Sequence, residues 1–214
     1  MKLSSAIKYI MNLQVLSFLT FNKLDRRFII ESKGRLFPQK KSCFILHKKS
    51  RIVLKDLLIT NANCMRKNGR STIIRLDEES RLYVNGRFSV FYGGDIIVFR
   101  GGQLVLNGGY VNSNIKIRCH ERITIGEQAK ISHDVTIMDS DAHQIDYEGY
   151  QMTAPVEIGN NVWIGSRVTI LKGVKIGDGS IIAAGSVVTR SIPSNCLAAG
   201  VPARVIKENI KIGD

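Results

Sequence analysis

From Ile158 onward the chain repeats itself every six residues: IGNNVW, IGSRVT, ILKGVK, IGDGSI, IAAGSV, VTRSIP. An aliphatic residue opens each unit, at Ile158, Ile164, Ile170, Ile176, Ile182 and Val188, and a small residue often follows, as at Gly159, Gly165, Gly177 and Ala183. A period of six excludes a long amphipathic helix, whose apolar positions return every 3.6 residues. It suits a strand of about four residues closed by a tight corner, with three such units making one triangular turn. Successive turns pair their strands about 4.8 Å apart, stack their aliphatic residues inside the prism, and draw stability from neighbouring coils. The same register appears as IGEQAK from Ile125 and ISHDVT from Ile131. Looser units open at Phe99, Val105 and Val111, with glycine pairs at 101–102 and 108–109. The expected architecture is all-β, a parallel β-helix over residues 71–192. A helical or extended segment over 1–70 leads into it and a tail over 193–214 follows.

The register breaks once. After Ile137 the next clear unit opens at Ile158, a gap that reads as slightly more than one full coil. The intervening MDSDAHQIDYEGYQMTAPVE is too polar and acidic to continue an apolar stack, so it is expected to loop outward over about 138–157. Loops carried by a rigid scaffold are where function collects. This one holds Asp139, Asp141, His143 and Asp146, and the only tryptophan, Trp163, stands just beyond it.

With 31 basic against 18 acidic residues the chain carries +13, which favours an anionic partner. The surplus gathers in KLDRR, KGR, QKK, HKKSR and RKNGR between Lys23 and Arg70. It is expected to recruit an anionic partner, either an acidic polysaccharide or an anionic inner membrane surface. No helix-turn-helix, zinc-finger or aromatic-rich RNA motif accompanies the charge, so nucleic acid is disfavoured. Four scattered cysteines form no CxxC pair and read as reduced thiols. In the amino-terminal stretch, Lys8, Asn12 and Gln14 interrupt the apolar run, which is too short and polar to span a bilayer. Leu3, Ile7, Ile10 and Met11 fit one helical stripe, expected to pack on the core, with an interfacial membrane anchor as the alternative.

The D-x-D-x-H loop, the run IGNNVWIGSRVTILKGVKIGDGSIIAAGSVVTRSIP and the tail AAGVPARVIK together resemble the hexapeptide-repeat O-acetyltransferases over residues 111–207. The likeness is to their maltose/galactoside acetyltransferase branch, which surface-polysaccharide and sialic-acid O-acetyltransferases share. It implies that the β-helix winds left-handed, an exception to the usual right-handed crossover. It also implies transfer of an acetyl group from acetyl-CoA to a sugar hydroxyl, a cytoplasmic homotrimer, and no metal.

In that family a loop histidine is the general base, and His143 matches it; imidazole accepts a hydroxyl proton near neutral pH. Asp139 or Asp141 is expected to hold the other imidazole nitrogen, as a backbone carbonyl would equally. The Gly165 and Ser166 amides match the place where the acyl group sits, and backbone N–H donors suit its oxyanion. For the donor, the resemblance carries over to Trp163, Gly165, Ser166, Ala184, Thr189, Arg190, Arg204 and Lys207. The last two are suited to phosphate as charge-assisted donors. Asn112 matches an acceptor-binding asparagine. His120 is a candidate acceptor contact that departs from the family pattern, since relatives often carry acidic residues there. His133 falls at a corner and is expected to be exposed.

Other outcomes on the same fold are an antibiotic-inactivating or amino-sugar N-acetyltransferase, whose tail more often reads GGNPA, and a non-catalytic scaffold. A β-helix carbonic anhydrase needs an H-x4-H pair, and the intervals from His120 to His133 and on to His143 do not supply one.

Overall fold

The computed structural model describes residues 13–63 and 70–213. Among these, three largely parallel sheets of seven, nine and seven strands run the length of the molecule, and successive strands visit the first, second and third sheet in turn. The first face includes Arg81–Val84, Gln103–Leu106, Arg122–Ile125 and Val156–Ile158. The second includes Phe88–Phe91, Gly109–Val111, Ala129–Ile131 and Trp163–Ile164; the third includes Asp95–Val98, Lys116–Cys119, Thr136–Met138 and Thr169–Ile170. This is the expected left-handed parallel β-helix of hexapeptide repeats.

The repeat works as the period demands. Ile125, Ile131, Ile158, Ile164, Ile170, Ile176, Ile182 and Val188 are all buried at the core. In register, Ile137 lies over Ile170 and Ile170 over Val188, so like packs on like from coil to coil. The looser units are another matter. The interior belongs to Val98, Leu104 and Leu106, while Phe99 sits at a corner and Val105 points to the outside of its strand. Side chains alternate across a strand, so a one-residue slip in register exchanges inside for outside. Val111 is interior, as expected. Its neighbour Gly109, at φ 109°, follows Phe88 in the stack, and a Cβ there would come within 2.2 Å of the Ala129 carbonyl.

The solenoid begins at Phe28, well before the expected boundary at 71. Its first coils are wide, with Phe28 paired to Ile52 and Leu82 to Leu104. Later turns are tighter, as the pairings of Leu104 with Ile123 and of Ile158 with Ile176 show. Only the narrow coils display a six-residue period. The wide ones bury Leu36, Ile52, Leu54 and Leu58 just as fully, with longer strands and corners between them. The break in the repeat also resolves. Ile125 pairs with Ile158, and Ile158 in turn with Ile176, so the coil holding the loop is nearly twice as long as the next. Ile137 and Ile158 sit on adjoining faces rather than one above the other, so the insertion amounts to most of an extra coil and not the slight excess expected.

A short helix, Val15–Leu19, and one π turn, Thr20–Leu24, close the amino-terminal end. Asn22 secures them there, its side-chain oxygen accepting from Leu36 N–H at 2.9 Å and its amide donating to Leu36 C=O at 2.8 Å. It thereby satisfies one residue of a strand at the sheet's open edge. Phe21 stacks on Phe28 and meets Phe44 edge-on, and Phe18 meets Phe37 edge-on. The expected stripe Leu3, Ile7, Ile10 and Met11 lies outside the described residues. At the other end Leu197–Gly200 and Ala203–Lys207 form an antiparallel hairpin that extends the second face.

Replacing Asn22 by Ala removes both bonds to Leu36. We expect a loss of about 1–2 kcal/mol in urea unfolding, with an unchanged β-sheet circular dichroism spectrum.

Candidate active site

The inserted loop leaves the prism at the edge between the third and first faces. Asp139, the residue after Met138, is fully buried next to Cys119 of the coil below. Its carboxylate accepts the His120 N–H at 2.6 Å and the Glu121 N–H at 2.9 Å. Burial, reinforced by this carboxylate, pushes the Cys119 thiol pKa up and keeps it protonated. Asp139 therefore holds the corner from which the loop departs. At the loop neck Ser140 bridges Thr153, Asp141 N–H donates to Met152 C=O at 3.1 Å, and Ala154 N–H donates to Asp139 C=O at 2.9 Å.

Within the loop, Lys172 from the next coil is the clamp. Its ammonium lies 2.5 Å from the Asp141 carboxylate, bonds the Gln151 carbonyl, and sits 4.3 Å over the Tyr150 ring. The Tyr150 hydroxyl reaches Asp141 at 2.7 Å and the His143 carbonyl at 2.9 Å. Lys172 and then Tyr150 hold the Asp141 carboxyl below its ordinary range. His143 is exposed, and its ring makes no hydrogen bond among the described residues. The backbone of His143 is tied down while its imidazole is left in solvent. Both aspartates expected to orient it are occupied elsewhere, Asp139 with amides and Asp141 with Lys172.

His120 lies one coil below, stacked on Phe99 with centroids 3.8 Å apart and planes 15° from parallel. Its Nδ1 is 3.9 Å from Asp139, too far for a hydrogen bond, and has no partner among the described residues. Burial lowers the His120 pKa against the opposing pull of Asp139 and so favours the neutral ring.

Of the expected donor residues, Gly165, Ser166 and Ala184 lie on a different edge, between the second and third faces. Asn112, His133, Ser166 and Ala184 occupy that edge in successive coils. Ser113 C=O accepts from Asp134 N–H, His133 C=O from Arg167 N–H, and Ser166 C=O from Gly185 N–H. Gly165 packs so closely that a Cβ would meet the Ala184 nitrogen at 2.6 Å. Its own N–H donates to Ile182 C=O at 2.8 Å and is taken up by the ladder. Ser166 N–H has no backbone acceptor among the described residues, so of the two amides it is the one left for a ligand. Trp163 projects from the second face and is 46% exposed. Arg204 and Lys207 are exposed on the terminal hairpin of that face, whereas Thr189 and Arg190 lie back at the edge between the third and first faces.

One chain thus gathers many of the expected residues in two groups on separate edges. The loop edge carries His143, Asp141, Asp139 and His120; the other carries Asn112, Gly165, Ser166 and Ala184. At about 3.3 Å per residue, a face of about four to five residues keeps neighbouring edges roughly 15 Å apart. A cavity of about 360 Å³ at the remaining edge, lined by residues such as Asn85, Arg87 and Asn107, includes none of the expected residues. Two contributors carry no motif signal. Lys172 stands at a corner position of ILKGVK, and its role depends on a loop that leaves the prism one coil earlier. Ser113, 4% exposed, bonds His133 Nδ1 at 2.6 Å and sets that ring on the edge with Asn112 and Ser166.

Lys172→Met removes every polar contact of the clamp. We expect amide hydrogen exchange over residues 140–153 to rise at least tenfold, with coils outside the loop unaffected, as mass spectrometry of peptic fragments will read.

Residues 155–190 match the bacterial transferase hexapeptide family of six repeats. Over 102 residues the chain is 47% identical to galactoside O-acetyltransferase of Escherichia coli (strain K12), a stretch that is 46% of this chain and 50% of that protein. The chain thus spans about half the length of that relative. A crystal structure of the polySia-specific acetyltransferase NeuO superposes with a TM-score of 0.55 at 23% identity, over 89% of this chain and 90% of that one, and shares the fold. A galactoside acetyltransferase in complex with coenzyme A is 39% identical over 63% of this chain and 64% of its own, with a TM-score of 0.45. Ser166 and Lys172 both fall within the residues 155–190 that match this family.

Proposed function

We propose that this protein transfers an acetyl group from acetyl-CoA to a hydroxyl of a sugar or surface polysaccharide, with His143 as general base. One observation carries the proposal. An exposed histidine, with no hydrogen bond to its ring among the described residues, stands on a pinned loop in a chain 47% identical over 102 residues to a galactoside O-acetyltransferase.

The chemistry follows from those residues. His143 takes the hydroxyl proton as the sugar oxygen attacks the thioester carbonyl, and the C–O bond forms. Negative charge gathers on the carbonyl oxygen, where the Ser166 N–H is the donor. Collapse breaks the C–S bond, and the imidazolium returns its proton to the departing thiolate to give CoA. His120, stacked on Phe99, contacts the acceptor beneath the loop. Along the donor, Trp163 flanks the reactive end and Ala184 meets the pantetheine arm, with Thr189 and Arg190 further on. Arg204 and Lys207 take the phosphates. Asp139 and Asp141 act through the loop, one holding its exit corner and the other its clamp. Acetyl-CoA as donor sets the enzyme in the cytoplasm.

The two groups lie on different edges of one prism, which supports a homotrimer whose sites form between neighbours. A loop edge of one copy then faces the Ser166 edge and Trp163 of the next.

His143→Ala is expected to fold normally and lose about 10²–10⁴-fold in kcat for thiol release from acetyl-CoA with galactosides or sialic-acid polymers. A variant that keeps nearly full turnover removes His143 from the mechanism. Mixing His143→Ala with Trp163→Ala chains is expected to restore activity if sites are shared. Light scattering that gives a monomer, or mixtures no more active than their parts, eliminates the shared site.

A further inference from the structure

The amino-terminal cap has two faces, and the solenoid uses only one. Phe18, Phe21 and Asn22 point into the prism end. Val15, Leu16, Leu19 and Leu24 point away and are 59, 82, 42 and 74% exposed. Exposed positions 15, 16, 19, 20, 23 and 24 recur at helical spacing, so these four apolar residues form one outward stripe with Lys23 in it.

The charge around that stripe is arranged by the fold. The first coil turns three corners, and each carries exposed lysine: Lys33 at the first, Lys40 and Lys41 at the second, Lys48 and Lys49 at the third. In the next coil the corner after Leu76 is acidic and reads Asp77, Glu78, Glu79. Residues 13–56 hold 11 Lys and Arg against three Asp and Glu, which is +8 of the chain's +13. Lys49 is paired with Glu79 at 2.8 Å, and Arg27 with Asp25 at 2.6 Å. Lys41 and Lys49 occupy positive-φ corner positions, as Glu79, Gln128 and Arg167 do at other corners of the solenoid.

We propose that this end of the solenoid docks on an anionic lipid membrane, with Leu16 and Leu24 entering the interface and the lysine triangle meeting the headgroups. An apolar stripe flanked by cations is the combination that holds a peripheral helix in the headgroup boundary. A hydrated acidic polysaccharide would engage the lysines but gains nothing from exposed leucines. No described helix is long and apolar enough to cross a membrane. Docked end-on, the corner bearing Lys48 lies four coils below Asp139. At about 4.8 Å per coil, the His143 loop stands roughly 20 Å above the lipid, on the side from which a membrane-tethered acceptor would approach. This goes beyond the proposed acetyl transfer and does not depend on it.

The test is sedimentation of the full chain with vesicles of phosphatidylcholine alone or of phosphatidylcholine and phosphatidylglycerol mixed two to one, across a salt series, with acetyl transfer to a soluble sugar measured in parallel. Binding is expected only to the anionic vesicles and should weaken as salt rises. Lys40→Ala/Lys41→Ala is expected to lower the partition coefficient about 25-fold, at about fivefold per cation. Leu16→Ser/Leu24→Ser is expected to lower it at least tenfold, while Lys116→Ala, on the third face, leaves it unchanged. All of these residues are exposed, so the variants should keep the parent circular dichroism spectrum. Absence of binding to anionic vesicles overturns the proposal. So does loss of binding in the lysine variant alone, with dextran sulfate competing, which marks a polyanion site. Concentration-dependent association that the serine variant abolishes overturns it too, because a second copy then covers the stripe.

Discussion

Everything in this molecule hangs on coil-to-coil register. Each interior aliphatic residue packs on its counterpart one turn away, and each strand takes its backbone hydrogen bonds from the turns above and below. Parallel strands buried on their inner side cannot slide by one residue without turning the core outward. The three edges are consequently rigid rails. Whatever a coil places at a corner is repeated at a known height along the same edge, and this gives the surface its functional order.

The rails explain how a long polar loop is tolerated. The extra residues enter and leave at one edge, and the Ser140–Thr153 bridge closes the neck so that the coils on either side stay paired. Asp139 takes an interior position where an aliphatic residue would have no hydrogen bond to offer, and two backbone N–H groups offset the cost of its burial. Lys172 reaches back one coil to hold the loop's acid, carbonyl and aromatic groups together. The histidine within the loop is thus carried by a defined frame and still open to solvent.

The two ends of the solenoid are treated differently. The carboxy-terminal end folds its last strand back as a hairpin along the second face, which moves Arg204 and Lys207 toward the side that bears Trp163. The amino-terminal end is plugged by phenylalanines and one asparagine, and turns apolar side chains and lysines outward. A solenoid edge left bare offers unpaired strands to other chains, so both devices also limit edge-to-edge association.

The hexads from Ile125 to Val188 determined the fold class, the interior residues of the narrow coils and the outward loop, because a strict period leaves one way to bury the aliphatic positions. The DxDxH loop and the GVPAR tail pointed to the family and to His143. The wide coils before Phe99 were illegible, since turns such as those from Phe28 to Ile52 and from Leu82 to Leu104 differ in length and leave no fixed period to detect. The same loss of period misassigned Phe99 and Val105 and set the start of the solenoid too late. Tertiary structure alone decided that Asp139 serves backbone amides, that Lys172 clamps the loop, that Gly165 N–H is already engaged, and that the expected site residues fall on two edges. It also decided that lysines spread over residues 33–49 converge around one apolar cap. The physical reason is common to all of these. A period in sequence reports which side chains go inside, whereas partners on the outside are set by coil length, which brings together residues that no local pattern relates.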